Sequence, residues 1–231
     1  LRAGRRRPHR LMVAEGIRED ERIAEILARA GQRGADVDRV PRELLDDLVN
    51  GANHQGVVLD AAPFDYVDLE DVIETPGTVL VLDHLSDPQN FGTLLRAAEA
   101  VGVAGIVLPV DRSVSVTPAV VNASAGAVEH LQVAQVPNLA RAVDRLEAAG
   151  RWVIGLDEGP NAVPLFEADI PTPVALVVGA EGSGLSQVVR RRCQMLVALP
   201  MRGRVESLNA ATAGAIMLYD LLRRETIAAD T

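Results

Sequence analysis

From Gly77 onward the chain alternates short, uninterrupted apolar runs with segments whose apolar residues recur every three or four positions. Residues 79–82, 105–108, 152–156, 174–178 and 196–199 are predicted strands. Continuous apolar strands between amphipathic helices imply a parallel sheet covered on both faces, hence an α/β domain over 77–231. Such sheets bind ligands beyond the carboxyl ends of their strands, so the loops after Leu82, Leu156, Val178 and Leu199 carry the candidate chemistry. Ahead of it, residues 1–61 predict a small α/β unit with strands at 11–14, 37–40 and 56–59. Asp20 caps its first helix, which carries Ile23, Ile26, Leu27 and Ala30 on one face and ends at Gly31. Pro41 opens the second, with Leu44, Leu45, Leu48 and Val49, and Gly51 closes it. The acidic stretch 62–76, with Pro63 just after its start, is expected to be a linker. Leu1 falls in what reads as mid-helix, so an N-terminal piece is expected to be missing.

Three loops stand out. Residues 83–90 lead into a helix predicted from Phe91, with Asn90 as its N-cap. Phe91, Leu94, Leu95, Ala98 and Val101 form the apolar stripe of that helix, and Arg96 stands off it. An amide and a guanidinium there would hold an anionic RNA backbone, although a capped helix with one solvated arginine fits the segment equally well. Residues 178–185 hold Gly179, Gly182 and Gly184, which permit positive φ and close backbone approach to a ligand. The chain has no lysine, which excludes a P-loop, and Glu181 inside a late turn fits a dinucleotide fingerprint poorly. A flat backbone turn suits an adenosine-bearing cofactor. Residues 199–209 lead into a small-residue helix over 210–222, which Ser207 would cap. Ala211, Ala213, Gly214 and Ala215 allow that helix to pack very closely.

Composition narrows the field. No apolar run approaches the roughly 20 residues of a membrane span, and no h-region follows the basic start. A single cysteine, Cys193, excludes an internal disulfide and a cysteine-built zinc site; it is expected to be a half-buried helix residue in a cytoplasmic protein without metal. A net charge of −9 argues at first against nucleic acid, yet Arg5, Arg6, Arg7 and Arg10 cluster at the N-terminus as candidate phosphate contacts. Aromatic residues at 3% disfavour base-stacking platforms.

In order, Asp87-Pro88-Gln89-Asn90-x-Gly92-x-x-x-Arg96, Gly179-x-Glu181-Gly182-x-Gly184-Leu185 and Pro200-Met201-x-Gly203-x-x-x-Ser207-Leu208-Asn209 resemble the three signature motifs of the SpoU/TrmH RNA methyltransferases, of the SPOUT superfamily. Asn122–Ala127 with Glu129-His130-Leu131 resembles that family's central region, and Asn53-His54-Gln55-Gly56 its ribosomal-RNA-binding N-terminal domain. The resemblance implies a parallel sheet with a C-terminal trefoil knot, S-adenosylmethionine as cofactor, a homodimer, and methylation of a ribose 2′-hydroxyl, with a guanosine of large-subunit ribosomal RNA as the expected target. It places cofactor contacts at Gly179, Leu199 and Leu208, with Met201 and Leu156 as neighbours. Arg96 becomes the candidate base or phosphate clamp, and Asn90, Glu181, Ser207 and Asn209 the orienting groups. Ala210-Ala211 departs from the family's usual Val-Ser pair, which removes a hydroxyl but leaves the cofactor-facing positions intact. A transfer-RNA methyltransferase and a non-catalytic RNA-binding module are the alternatives.

Overall fold

A computed structural model describes residues 1–205 and 207–229, in two compact units, Leu1–Asp65 and Tyr66–Thr231. The first has the order β1 (Pro8–Ala14), α1 (Glu21–Gln32), β2 (Asp36–Val40), α2 (Arg42–Leu48) and β3 (Val57–Ala61). Its sheet runs β2-β1-β3, with β1 parallel to β2 and antiparallel to β3. Asp20 caps α1 by accepting the Ile23 N–H at 2.9 Å, and Ile23 and Ala30 are buried, as the stripe requires. The helix runs past Gly31 to Gln32, because positive φ comes only at Gly34. Residues 1–7 contain no helix, contrary to the expectation for Leu1. Arg33 instead holds this segment, donating to the carbonyls of Leu1, Gly4 and Arg6.

The second unit runs α3 (Leu69–Glu74), β4 (Val79–Asp83), α4 (Pro88–Val101), β5 (Gly105–Pro109), α5 (Pro118–Ala123), β6 (Val133–Val136), α6 (Leu139–Ala148), β7 (Trp152–Leu156), β8 (Val163–Pro164), β9 (Val174–Gly179), α7 (Gln187–Arg190), β10 (Met195–Ala198) and α8 (Ala210–Ala229). Seven strands in the order β6-β5-β4-β9-β7-β10-β8 form one parallel sheet. Strands β4, β5 and β9 are buried along their whole length, which is why they lack polar alternation. The order reverses between β4 and β9, where Leu82 lies beside Val178 and Asp83 beside Gly179, so this edge is the topological switch point.

The stretch expected to be a linker contains α3. An Asp68/Asp71 capping box starts that helix, and Leu69 and Val72 pin it to the core. Arg151, 5% exposed, donates to the carbonyls of Val72, Ile73, Thr75 and Gly77, which are otherwise left over at the end of α3. Burial lowers the pKa of this guanidinium from its ordinary value. Arg151→Met is expected to destabilise the second unit by about 2–4 kcal/mol, since charge-assisted bonds are lost and buried carbonyls orphaned. Denaturant unfolding of the full chain reads this directly.

Candidate active site

The switch-point edge gathers the loops after β4, β7, β9 and β10. The first ends in α4, whose N-cap is Asp87, not Asn90. The Asp87 carboxylate accepts from Gln89 N at 3.3 Å and Asn90 N at 3.0 Å, with Pro88 at the first helical position. The helix therefore starts three residues earlier than expected, which frees the Asn90 side chain. That amide donates from Nδ2 to Glu181 Oε2 at 2.7 Å and accepts at Oδ1 from Asn209 Nδ2, also at 2.7 Å. Asn209 Nδ2 lies 3.5 Å from Glu181 Oε1, closing a three-residue junction that joins all three motif loops. Asn209 Oδ1 also accepts from Ala211 N and Thr212 N at 2.9 and 3.2 Å. Asn209 is thus the cap of α8 that Ser207 was expected to be, because its carbonyl reaches the first free N–H groups of the helix. Ser207 is exposed ahead of the helix.

The glycine loop closes on itself. Ala180 and Gly184 exchange both backbone hydrogen bonds, 3.1 and 2.9 Å, while Gly182 and Gly184 take φ of 77° and 64°. A Cβ on Gly179 would strike the Gly184 carbonyl and come within 2.5 Å of Leu185 N, so the loop can fold back only over glycine. Around Gly179 the ends of neighbouring strands supply Leu156, in register with Val197, and Leu199, just beyond β10. Leu156, Leu199 and Leu208 are half-buried, and Met201 is 37% exposed. Arg96 lies one helical turn beyond Gly92 on the same face of α4. Gly92 is needed there because a Cβ would sit 2.7 Å from Ala123 C and Ser124 N, against the end of α5. Arg96 is exposed, and its guanidinium has no partner among the described residues.

Two neighbours were not singled out from sequence. Asp83, 1% exposed, accepts the Ser186 N–H at Oδ2 (2.6 Å) and lies 2.6 Å from His84 Nδ1 through Oδ1. His84 holds φ at 61°, a left-handed conformation costing a side chain about 1–2 kcal/mol. Only the strand end at Asp83 hinted at this pair in the sequence. Cys193 is half-buried as expected but follows α7 instead of lying in a helix. Burial, reinforced by the Asp83 and Asp157 carboxylates, pushes its thiol up to about 12. The native protein is expected to react with thiol reagents at pH 8 about 10²-fold or more slowly than the denatured chain.

The four N-terminal arginines are not equivalent. Arg10 is ion-paired with Asp38 across β1 and β2. Arg5 donates to the Asp65 carbonyl at 2.8 Å and stacks over Phe64, 4.4 Å from the ring centre, and Arg6 reaches the Ala62 carbonyl. Arg7 alone among them presents a guanidinium without a partner among the described residues. Among the described residues no three His, Cys, Asp or Glu side chains gather as a metal site, and no helix is long and apolar enough to cross a membrane.

A parallel sheet whose switch point carries three interlocked loops defines an α/β ligand-binding domain. A sequence model of the SpoU rRNA Methylase family matches residues 77–219, and one described as RNA 2′-O ribose methyltransferase substrate binding matches residues 1–67. A Staphylococcus haemolyticus protein assigned to the TrmH family of tRNA/rRNA methyltransferases is 40% identical over 222 residues, 94% of this chain and 88% of its own. The AdoMet-bound rRNA methyltransferase from Sinorhizobium meliloti superposes with a TM-score of 0.80 at 27% identity, over 96% of this chain and 82% of that one. The SpoU methyltransferase AviRb from Streptomyces viridochromogenes, in complex with the cofactor AdoMet, gives 0.80 at 25% identity over 97% and 85%. The chain belongs to the SpoU rRNA methylase family and is an RNA methyltransferase.

Proposed function

We propose that this enzyme transfers the methyl group of S-adenosylmethionine to a ribose 2′-hydroxyl, that of a guanosine in large-subunit ribosomal RNA. The observation that carries the reading is the Asn90–Glu181–Asn209 junction, which draws the three motif loops together beside the glycine turn. The residues suit the cofactor. Half-buried Leu156, Leu199 and Leu208 offer apolar walls and backbone polar groups, and added Cβ atoms at Gly182 and Gly184 would meet open space. When bound, S-adenosylmethionine supplies an activated methyl group, so the chain has only to align the hydroxyl and assist loss of its proton.

Gly179, Leu156, Leu199 and Leu208 hold the adenosine through their backbones, and Met201 flanks it. Arg96, permanently cationic, holds an RNA phosphate and stabilises the developing alkoxide. Asn90, Glu181 and Asn209 keep the loops in register, and Ser207 orients the ribose. Residues 1–61 read the RNA, with Arg7 as a phosphate contact, and residues 77–231 carry the catalysis, with α3 of the segment 62–76 packed into the same unit. The C-terminal loops form a trefoil knot, and the enzyme works as a homodimer in the cytoplasm without metal. The match of residues 1–67 to a family described as RNA 2′-O ribose methyltransferase substrate binding supports an RNA ribose as acceptor, and the match to the SpoU rRNA Methylase family favours ribosomal over transfer RNA. Incubation with tritiated S-adenosylmethionine and unmodified ribosomal or transfer RNA tests this. The expected result is 2′-O-methylguanosine in large-subunit RNA. Label in transfer RNA alone would move the target, and no label in either would contradict the reading.

A further inference from the structure

We propose that Arg112, Arg141, Arg202 and Arg204 form a phosphate track across the carboxyl edge of the parallel sheet. It lays a single strand of the substrate RNA over the cofactor loops, and it rests on the methyltransferase reading above. The pattern of partners singles these four out. In the second unit Arg145 pairs with Glu70, Arg190 with Asp157, Arg192 with Asp144, and Arg223 and Arg224 with Asp220. Arg151 and Arg191 donate to backbone carbonyls. Only Arg96 and the four track residues are exposed with no partner for the guanidinium among the described residues of that unit.

Their places in the fold put them on one edge. Arg112 follows β5, Arg141 stands in the first turn of α6 after β6, and Arg202 and Arg204 follow β10. In the sheet order β5 and β6 lie beyond β4 on one side, and β10 lies two strands beyond β9 on the other, so the cations flank Gly179. From β5 to β10 is four strand spacings of about 4.8 Å, roughly 19 Å, a span that several nucleotides cover. Two of the segments are fastened to the motif loops. Ser113 Oγ and Val114 N donate to the Leu85 carbonyl at 3.3 and 2.9 Å, which ties the Arg112 loop to the one that leads to Asn90. Arg202 and Arg204 lie between Met201 and Leu208, and Asn209 anchors the end of their loop to Asn90 and Glu181. Arg112 also keeps a side chain at φ 55°, strain of the kind retained at ligand contacts. The carboxylates of these loops do not cancel the charge. Asp83 accepts from Ser186 N, Asp87 caps α4, Asp157 pairs with Arg190 and Glu181 holds the junction. Asp111 and Glu158 alone among the described residues of these loops have no partner. Such an edge attracts a polyanion although the chain carries −9, because at about 0.1 M salt fields between exposed charges decay within about 10 Å. A guanidinium grips phosphate through two parallel N–H groups, and with aromatic residues at 3% phosphates carry the contact in place of stacked bases.

The test is the salt dependence of binding, between about 50 and 200 mM, of the RNA that the unaltered protein methylates, unmodified large-subunit RNA by the reading above. Arg112→Gln, Arg141→Gln, Arg202→Gln and Arg204→Gln are each expected to weaken that RNA by about 3–10-fold and to reduce the slope of log K against log salt by about 0.7, the value for one phosphate of a single strand. Methyl transfer at limiting RNA should fall in the same proportion, while affinity for S-adenosylmethionine and the melting temperature stay where they were, since no internal contact is lost. Arg112→Lys and Arg204→Lys should keep the slope, because an ammonium still displaces a counterion. Arg145→Gln, on the same helix as Arg141 but engaged by Glu70, removes an equal charge and should leave binding and slope unchanged. Track variants with the affinity and slope of the unaltered protein, or an equal loss in Arg145→Gln, would overturn the track and leave the enzyme assignment standing. No methyl transfer to any RNA by the unaltered protein would overturn both.

Discussion

Arg96→Ala is expected to lower methyl transfer by about 10²–10³-fold while leaving S-adenosylmethionine affinity unchanged, the loss typical of removing one preorganised group aimed at developing charge. Its guanidinium is exposed, without a partner among the described residues, one helical turn beyond the close Gly92–Ala123 approach that seats α4. Removing it therefore breaks no internal contact, and the melting temperature should not move. Calorimetry with S-adenosylmethionine and single-turnover rates separate the two effects. Undiminished turnover would remove Arg96 from the chemistry. Arg96→Lys should restore only part of the rate, because an ammonium lacks the planar fork that grips a phosphate.

Gly179→Ala is expected to act at the other partner in the reaction. Its Cβ would collide with the Gly184 carbonyl and approach Leu185 N to 2.5 Å, both backbone atoms of the fold-back turn. Neither can swing aside as a flexible side chain would, so the Ala180–Gly184 pair must open. Overpacking of this kind costs about 1–3 kcal/mol, which for a chain of this size is a fall in Tm of about 2–4 °C per kcal/mol. The turn that should cradle the cofactor is displaced as well, and affinity for S-adenosylmethionine is expected to fall by about tenfold or more, ~1.4 kcal/mol. Titration calorimetry alongside a thermal melt reads both. Gly182→Ala is the contrast: it adds strain at φ 77° but meets no atom within 4 Å, so the turn should keep its shape.

The central strands were legible in the sequence because uninterrupted apolar runs mark burial on both faces, and β4, β5, β7 and β9 lie where those runs lie. Two strands were not. β6 is four residues long with Gln135 in it, and β8 is two residues, Val163–Pro164, held by pairing with β10. Pairing of that kind is a property of the assembled sheet. The start of α4 was misplaced although Asp87-Pro88 is a stronger signal than Asn90, since a carboxylate cap followed by proline satisfies two requirements of a helix start together. The Asp68/Asp71 box of α3 was likewise present but obscured by the acidity around it.

The site was readable as three loops and unreadable as a junction. Glu181 and Asn209 lie 91 and 119 residues from Asn90 along the chain, and nothing local shows that the two amides meet one carboxylate. The N-terminal arginines show the converse. Their clustering suggested a common role, yet Arg10 is ion-paired with Asp38 on the neighbouring strand while the Arg7 guanidinium has no partner among the described residues. Asp83 and His84 were legible only as polar residues after a strand, because a positive φ at histidine and a backbone N–H arriving from Ser186 are facts of the folded chain.

The most direct measurement is a crystal structure with S-adenosylmethionine soaked in. Density for the adenosine should lie against the backbones of Gly179, Leu199 and Leu208, with the sulfonium methyl open to solvent on the side of Arg96. A cofactor bound elsewhere, or side chains filling the space between Gly179 and Leu208, would contradict it.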